Sequence, residues 1–307
     1  MRHVSHAHEP SGLSRAIADG PVVLDGGLAT LLEARGHDLS SDLWSARLLR
    51  DDPEAIVAAH AEFFDAGAQV ATTASYQASF PGFAALGLDG EQAGDLMRLS
   101  VALARRARDE HRPDGWVAAS VGPYGAYLAD GAEYRGDYDL DVAGLRDFHR
   151  PRIDVLADSG ADVLAVETVP CLAEVEAICA ELDGTGLAAW LSLSADGDRT
   201  RAGEPLSDAW AMTADVEEIV AVGVNCCAPA DVVTALGEAG GPLVAYPNSG
   251  QGWDAQRRTG TGESAFDSGM VGSWLAAGAR LVGGWCRVGP ADIARVAEEV
   301  QASGARR

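Results

Sequence analysis

The chain has 307 residues, 47% of them hydrophobic and 22% charged, enough apolar material for the core of a single large α/β domain. A formal charge of −23 repels phosphate backbones and anionic membrane surfaces, which excludes nucleic acids and membranes from the expected partners. No apolar run reaches the roughly 18 residues that span a bilayer, and the start MRHVSHAHEPSGL lacks a signal-peptide pattern, so a cytoplasmic protein is expected.

Residues 1–19 read as a polar, disordered leader whose His3, His6 and His8 stand outside the chemistry. From residue 20 to 303, eight short apolar runs alternate with amphipathic helical stretches. The runs are 21–27, 69–75, 116–122, 162–168, 188–194, 219–225, 242–248 and 280–286. Helical patterns cover 53–67, 91–112, 142–160, 172–182, 230–239, 266–278 and the stretch from Pro290 to the tail. Strands apolar on both faces, each followed by a helix, predict an α/β fold of the (β/α)8 TIM-barrel type in one domain. An open doubly wound sheet is the alternative topology.

The residues with chemical potential gather at the C-terminal ends of the runs, where barrel enzymes build their sites. These ends carry Asp25-Gly26-Gly27, Ser75-Tyr76-Gln77, Glu167-Thr168, Asn225-Cys226-Cys227, Asn248-Ser249-Gly250 and Gly284-Trp285-Cys286. The segments that follow them are long and rich in Gly and Tyr, notably 123–141, 195–204 and 249–264, as expected of lids over a pocket. Five cysteines in a chain without an export signal argue for free thiols rather than a disulfide framework. Cys226 and Cys286 end the sixth and eighth runs, which a closed barrel brings to one rim, where two thiolates can converge on a zinc ion. Cys227 faces the opposite side unless the chain bends there. Cys171 and Cys179 fall at the start and in the interior of a helix, as packing residues do. Asp25 and Glu167 are costly to bury alone, and a bound ammonium group satisfies both. Gly26 and Gly27 lead into a helix at Leu28, where backbone N–H groups can receive a carboxylate.

Taken together, the segments LDGGLATLLEARGHDL, LWSARLL, TTASYQASF, SVGPYGAYLADGAEYRGDY, VETV, GVNCC, YPNSG and GGWCR resemble the homocysteine S-methyltransferase family, most closely its S-methylmethionine-dependent branch. The resemblance implies transfer of a methyl group from S-methylmethionine or S-adenosylmethionine to homocysteine, giving methionine. It also implies one zinc ion, held by three cysteines, that binds the acceptor as thiolate. Cys226 in GVNC corresponds to one ligand and Cys286 to another. The third is replaced by Trp285, which predicts weakened or lost zinc binding unless Cys227 substitutes. Glu167, Cys226 and Cys286 are then the expected catalytic groups. Asp25 and Glu167 would hold the ammonium of homocysteine, Gly26 and Gly27 its carboxylate, and Asn248 the rim. Trp44, Tyr76 and Gln77 would face the sulfonium donor, with Trp285 offering an electron-rich ring to the cation. Gln251 is a second departure, since the family carries an acidic residue after Asn-Ser-Gly. Two alternatives stay open at this point: a zinc-independent enzyme for another thiol or a selenol, and a non-catalytic amino-acid-binding homologue.

Overall fold

The computed structural model describes residues 12–37, 39, 45–237, 239–254 and 259–304. Eight strands make one sheet: β1 (Val22–Val23), β2 (Val70–Thr72), β3 (Trp116–Val121), β4 (Val163–Val169), β5 (Ala189–Leu193), β6 (Ile219–Asn225), β7 (Leu243–Tyr246) and β8 (Ala279–Val282). Neighbours pair in parallel in the order β1-β8-β7-β6-β5-β4-β3-β2. A parallel bridge between Leu24 and Val70 joins the two ends, so the sheet curls into the expected barrel.

A helix follows every strand: Pro53–Asp65, Gly90–His111, Val142–Ala157, Leu172–Leu182, Leu206–Thr213, Val232–Leu236, Val271–Ala276 and Pro290–Gly304. Several begin where the sequence supplies an acidic cap. Asp52 accepts from the Ala55 N–H ahead of Pro53, Asp141 accepts from the Gly144 N–H, and Asp89 forms a capping box with Gln92. The helix Leu206–Thr213 carries no such signal and was not among the expected helical stretches.

The two-residue period of the strands sorts their side chains. Val22, Leu24, Val70, Ala118, Val163, Ala165, Trp190, Ala221, Val244, Tyr246 and Leu281 fill the barrel interior. Their neighbours one position along, such as Val23, Ala71, Val117, Leu164 and Leu191, pack under the helices. One correction concerns the N-terminal segment. Gly12–Asp19, placed in the polar leader by composition, forms a helix whose Leu13 and Ile17 are buried in the interior cluster, beside residues at the strand starts. Its apolar positions i and i+4 are too few to stand out in a polar context, and the open lower end of the barrel supplies their partner. Residues 1–11, including the three leader histidines, lie outside the described residues.

Candidate active site

Following the inward-facing positions upward, the apolar layers give way to polar ones: Thr72 after Val70, Ser120 after Ala118, Glu167 after Ala165, Ser192 after Trp190 and Asn225 at the end of β6. This layer is the floor of a pocket at the C-terminal end of the barrel. Asp25 lies just past β1 and is buried. One of its oxygens accepts from the Thr72 N–H at 2.7 Å and the other from the Thr72 hydroxyl at 2.8 Å. Burial pushes the Asp25 carboxyl up to about 7, with the Thr72 hydrogen bonds pulling the other way. Glu167 is also buried and accepts from the Ser120 hydroxyl and, at 3.0 Å, from the Tyr246 hydroxyl. Burial raises its carboxyl well above the usual range, and the nearby Asp25 adds to the shift. Two adjacent buried carboxyls that resist ionisation form a floor that a cation would satisfy.

Backbone strain marks the same region. Among the described residues, Thr168, Cys226 and Arg287 have φ of 65°, 49° and 62°. Thr168 is held there by Asn225, whose Oδ1 accepts from the Thr168 N–H at 2.6 Å while its Nδ2 donates to the Thr168 hydroxyl at 2.7 Å. Such residues persist only where their surroundings over-determine them, and they concentrate at functional sites.

The left-handed turn at Cys226 sends its thiol toward the pocket and Cys227 away from it. Cys226 and Cys286 share a hydrogen bond, which lowers the Cys226 thiol and raises that of Cys286. The Tyr134 hydroxyl lies 3.3 Å from the Cys226 sulfur, and the Arg201 guanidinium sits 6.0 Å from the centroid of the Tyr134 ring. Cys227 packs in the helix-side core, where burial pushes its thiol up to about 12. It therefore does not complete a ligand set, which corrects the expectation that it might replace the missing cysteine. The described residues contain no group of three or more His, Cys, Asp or Glu side chains placed to hold a metal ion. A zinc site of three protein ligands needs one donor more than the two thiols provide.

Trp285 immediately precedes Cys286, at the position for which the resemblance implied a third cysteine. Its main-chain N–H donates to the Pro247 carbonyl at 2.8 Å, and its ring packs edge-on against Tyr76 (centroids 5.6 Å apart) and Tyr246 (5.5 Å). The turn that carries it needs the glycines opposite. A Cβ on Gly26 would lie 2.2 Å from the Val288 carbonyl oxygen, and one on Gly27 would lie 2.6 Å from that of Trp285.

Gly26, Gly27, Tyr76, Gln77, Glu167, Trp285 and Cys286 line one pocket, with Asp25 and Cys226 buried immediately behind it. Asn248 is not in the lining, and its Oδ1 accepts from the Gly250 N–H at 2.8 Å, shaping the loop after β7. Gln251 braces the same loop by donating to the Gly262 carbonyl at 3.0 Å. Trp44 lies outside the described residues. The Gly27 N–H donates to Val288 and is already engaged, so the free donors at this end belong to the first turn of the helix Leu28–Ala34.

Sequence reasoning missed Glu133 and Tyr134, which the loop after β3 folds over the pocket. Glu133 is buried, one of its carboxylate oxygens has no hydrogen-bond partner, and burial raises its carboxyl. The signal was present as an acidic and an aromatic residue inside the long Gly- and Tyr-rich segment recognised as a lid.

A model described as "Homocysteine S-methyltransferase" matches residues 22–300. The chain belongs to the homocysteine S-methyltransferase family. It is 47% identical to the homocysteine S-methyltransferase of Escherichia coli (strain K12), over 89% of this chain and 93% of that one. It is 43% identical to YbgG of Bacillus subtilis (strain 168), a protein of the same description, over 90% and 93%. A selenocysteine Se-methyltransferase of Brassica oleracea var. italica is 41% identical over 89% and 87%. Among solved structures, the metallated form of the homocysteine methyltransferase MmuM from Escherichia coli superposes with a TM-score of 0.84 at 45% identity, covering 93% of this chain and 99% of that one. This methyltransferase thus shares the barrel and most of the length of its relatives, and no helix among its described residues is long and apolar enough to cross a membrane.

Proposed function

We propose that this homocysteine S-methyltransferase takes its methyl group from a sulfonium donor, S-methylmethionine or S-adenosylmethionine, in the cytoplasm. The observation that carries the reading is the pair of buried carboxyls, Asp25 and Glu167, beneath an aromatic wall. The ammonium of homocysteine would bind between them, releasing their protons and replacing the desolvation cost by an ion pair. Its carboxylate would meet the first-turn N–H groups of the helix Leu28–Ala34 beside Gly26 and Gly27. The acceptor sulfur would then lie toward Cys226, Cys286 and the Tyr134 hydroxyl.

Tyr76 and Trp285 offer ring faces to the donor cation, with Gln77 and the unpartnered oxygen of Glu133 beside them. In the transfer, the acceptor sulfur attacks the methyl carbon in line. The carbon–sulfur bond of the sulfonium breaks, its electron pair stays on the donor sulfur, and the donor leaves as a neutral thioether. The acceptor's proton must be lost to solvent, and the positive charge of the donor beside that sulfur favours the thiolate, as an opposite charge within a few ångströms does. Holding the two sulfurs on either side of one methyl group supplies the rest of the catalysis.

A zinc ion in this family supplies the acceptor thiolate when bound. Two thiols and an indole do not fit a three-cysteine zinc site, so thiolate formation is assigned to the donor charge and the pocket. The same deficit favours a second reading in which the preferred acceptor is another thiol or a selenol that ionises without a metal, as the similarity to a selenocysteine Se-methyltransferase also suggests. Methyl transfer from each donor to homocysteine and to a selenol acceptor, before and after chelation, tests both. Turnover with homocysteine that survives chelation supports the first reading, and turnover confined to selenol acceptors supports the second. The ammonium assignment fails if Asp25→Asn and Glu167→Gln leave KM for homocysteine unchanged.

A further inference from the structure

Behind the pocket walls lies a buried charged cluster that contributes no side chain to the lining: Arg152 and His149 on the helix Val142–Ala157, and Glu174 on the helix Leu172–Leu182. All three are buried, 1% exposed or less. Charged and polar groups buried this completely carry a desolvation cost that their hydrogen bonds must offset, so what those bonds hold is informative.

Their partners outside the cluster lie on the segments that carry the pocket, three of them main-chain groups and one the Tyr138 hydroxyl. The Glu174 carboxylate accepts from the Tyr124 N–H at 2.5 Å, from the Tyr138 hydroxyl at 3.0 Å and from His149 Nε2 at 2.8 Å. Tyr124 and Tyr138 stand near the two ends of the loop after β3, and the Gly125 N–H donates to the Tyr138 hydroxyl at 3.2 Å. Glu133 and Tyr134 lie between these anchors. Burial keeps the His149 ring toward its neutral form, and because a carboxylate only accepts, the tautomer that bonds Glu174 carries its proton on Nε2. Arg152 donates to the Gly122 carbonyl and to the Tyr76 carbonyl, both at 3.1 Å, and stacks 5.7 Å from the Phe148 ring centroid. Gly122 immediately precedes the loop, and its own N–H donates to Tyr76 at 3.2 Å.

We infer that Glu174 and Arg152 are positioning residues for the methyl transfer: Glu174 fixes both ends of the loop that delivers Glu133 and Tyr134, and Arg152 locks the Tyr76 wall to the start of that loop. Two parts of the pocket wall, Tyr76 and the Glu133–Tyr134 segment, are thereby set by one buried cluster between two helices. The inference rests on the assignment of this pocket as the transfer site. A displacement of about 1 Å in such walls lowers turnover by up to about 100-fold.

The test is a set of double-mutant cycles read by kcat/KM and by the urea midpoint. Glu174→Gln, which leaves one acceptor where the loop needs two, and Tyr138→Phe, which removes a single hydroxyl, are each expected to lower kcat/KM by about 10-fold or more. In a Tyr134→Phe background, which has already lost the hydroxyl the loop delivers, each is expected to add less than about 3-fold, because coupled groups are non-additive. Arg152→Lys follows the same pattern against Tyr76→Leu, which removes the ring that Arg152 positions. Losses that multiply in full in those backgrounds, or a Tyr138→Phe enzyme within about twofold of the unmodified one, overturn the inference. If Glu174→Gln does not fold, the Tyr138→Phe cycle decides. An unmodified enzyme that fails to turn over either donor sinks the donor assignment instead, and the same cycles are then read by calorimetry of homocysteine binding.

Discussion

Asp25 makes the empty enzyme less stable than it could be, and the size of that penalty follows from its surroundings. Its carboxyl is raised to about 7 by burial, from an ordinary value of 3.8. The folded state therefore holds this proton more tightly than the unfolded chain, and the stability it contributes is lost as pH rises from about 4 through about 7. Between pH 5 and pH 8 the loss amounts to about 3 kcal/mol, from 1.36 kcal/mol per pKa unit weighted by the fraction ionised in each state. Asp25→Asn removes the titration. The amide keeps one acceptor for the two Thr72 donors at 2.7 and 2.8 Å, at a cost of about 1–3 kcal/mol that does not depend on pH. Urea unfolding at pH 5 and pH 8 measures the difference, provided the slope with denaturant is unchanged. The expected result is a variant that gains about 3 kcal/mol relative to the unmodified enzyme between the two pH values. Homocysteine should raise the midpoint of the unmodified enzyme at pH 8 and act weakly on the variant, since a ligand stabilises only the state it binds. A stability difference that does not change with pH would refute the assignment of Asp25 as a strained, desolvated carboxyl.

Three further outcomes are expected. His60 is buried with both ring nitrogens unpartnered and its pKa pushed down to about 4, so stability is lost as pH falls below about 6.5; His60→Leu should spare about 2 kcal/mol of acid destabilisation at pH 5, read as a smaller drop in urea midpoint between pH 7 and pH 5. Asn225→Ala leaves the Thr168 N–H without its 2.6 Å partner, which should lower stability by about 1–3 kcal/mol and reduce turnover by releasing the end of β4 beside Glu167; unchanged unfolding curves would contradict this. Trp285→Cys adds a third thiol beside Cys226 and Cys286, and zinc content after equilibration at fixed free zinc should rise toward one ion per chain while the unmodified enzyme stays well below it. About one zinc ion per chain in the unmodified enzyme would show that a third donor exists which the described residues do not reveal, and little zinc in either protein would show that position 285 is not the missing ligand.

Much of this was legible in the sequence. The eight apolar runs, their intervening helices and the polar residues at the run ends pointed to a parallel α/β sheet of barrel type and to the end of it that carries the site, because a parallel sheet needs a helix after each strand and its inward positions repeat every second residue; closure itself rests on the bridge between Leu24 and Val70. The motif segments determined the family, and the replacement at Trp285 was visible as a single letter. Four things were decided only by tertiary structure. Leu13 and Ile17 found a partner in the lower mouth of the barrel, which no local pattern announces. The positive φ at Cys226 turned one thiol toward Tyr134 and left Cys227 under the helices, a choice between two adjacent identical residues that periodicity leaves open. Glu133 and Tyr134 entered the pocket because a long loop folded back over it. The burial that lifts Asp25 and Glu167 came from strands distant in sequence, since desolvation depends on which groups surround a carboxyl in space and not on its neighbours along the chain.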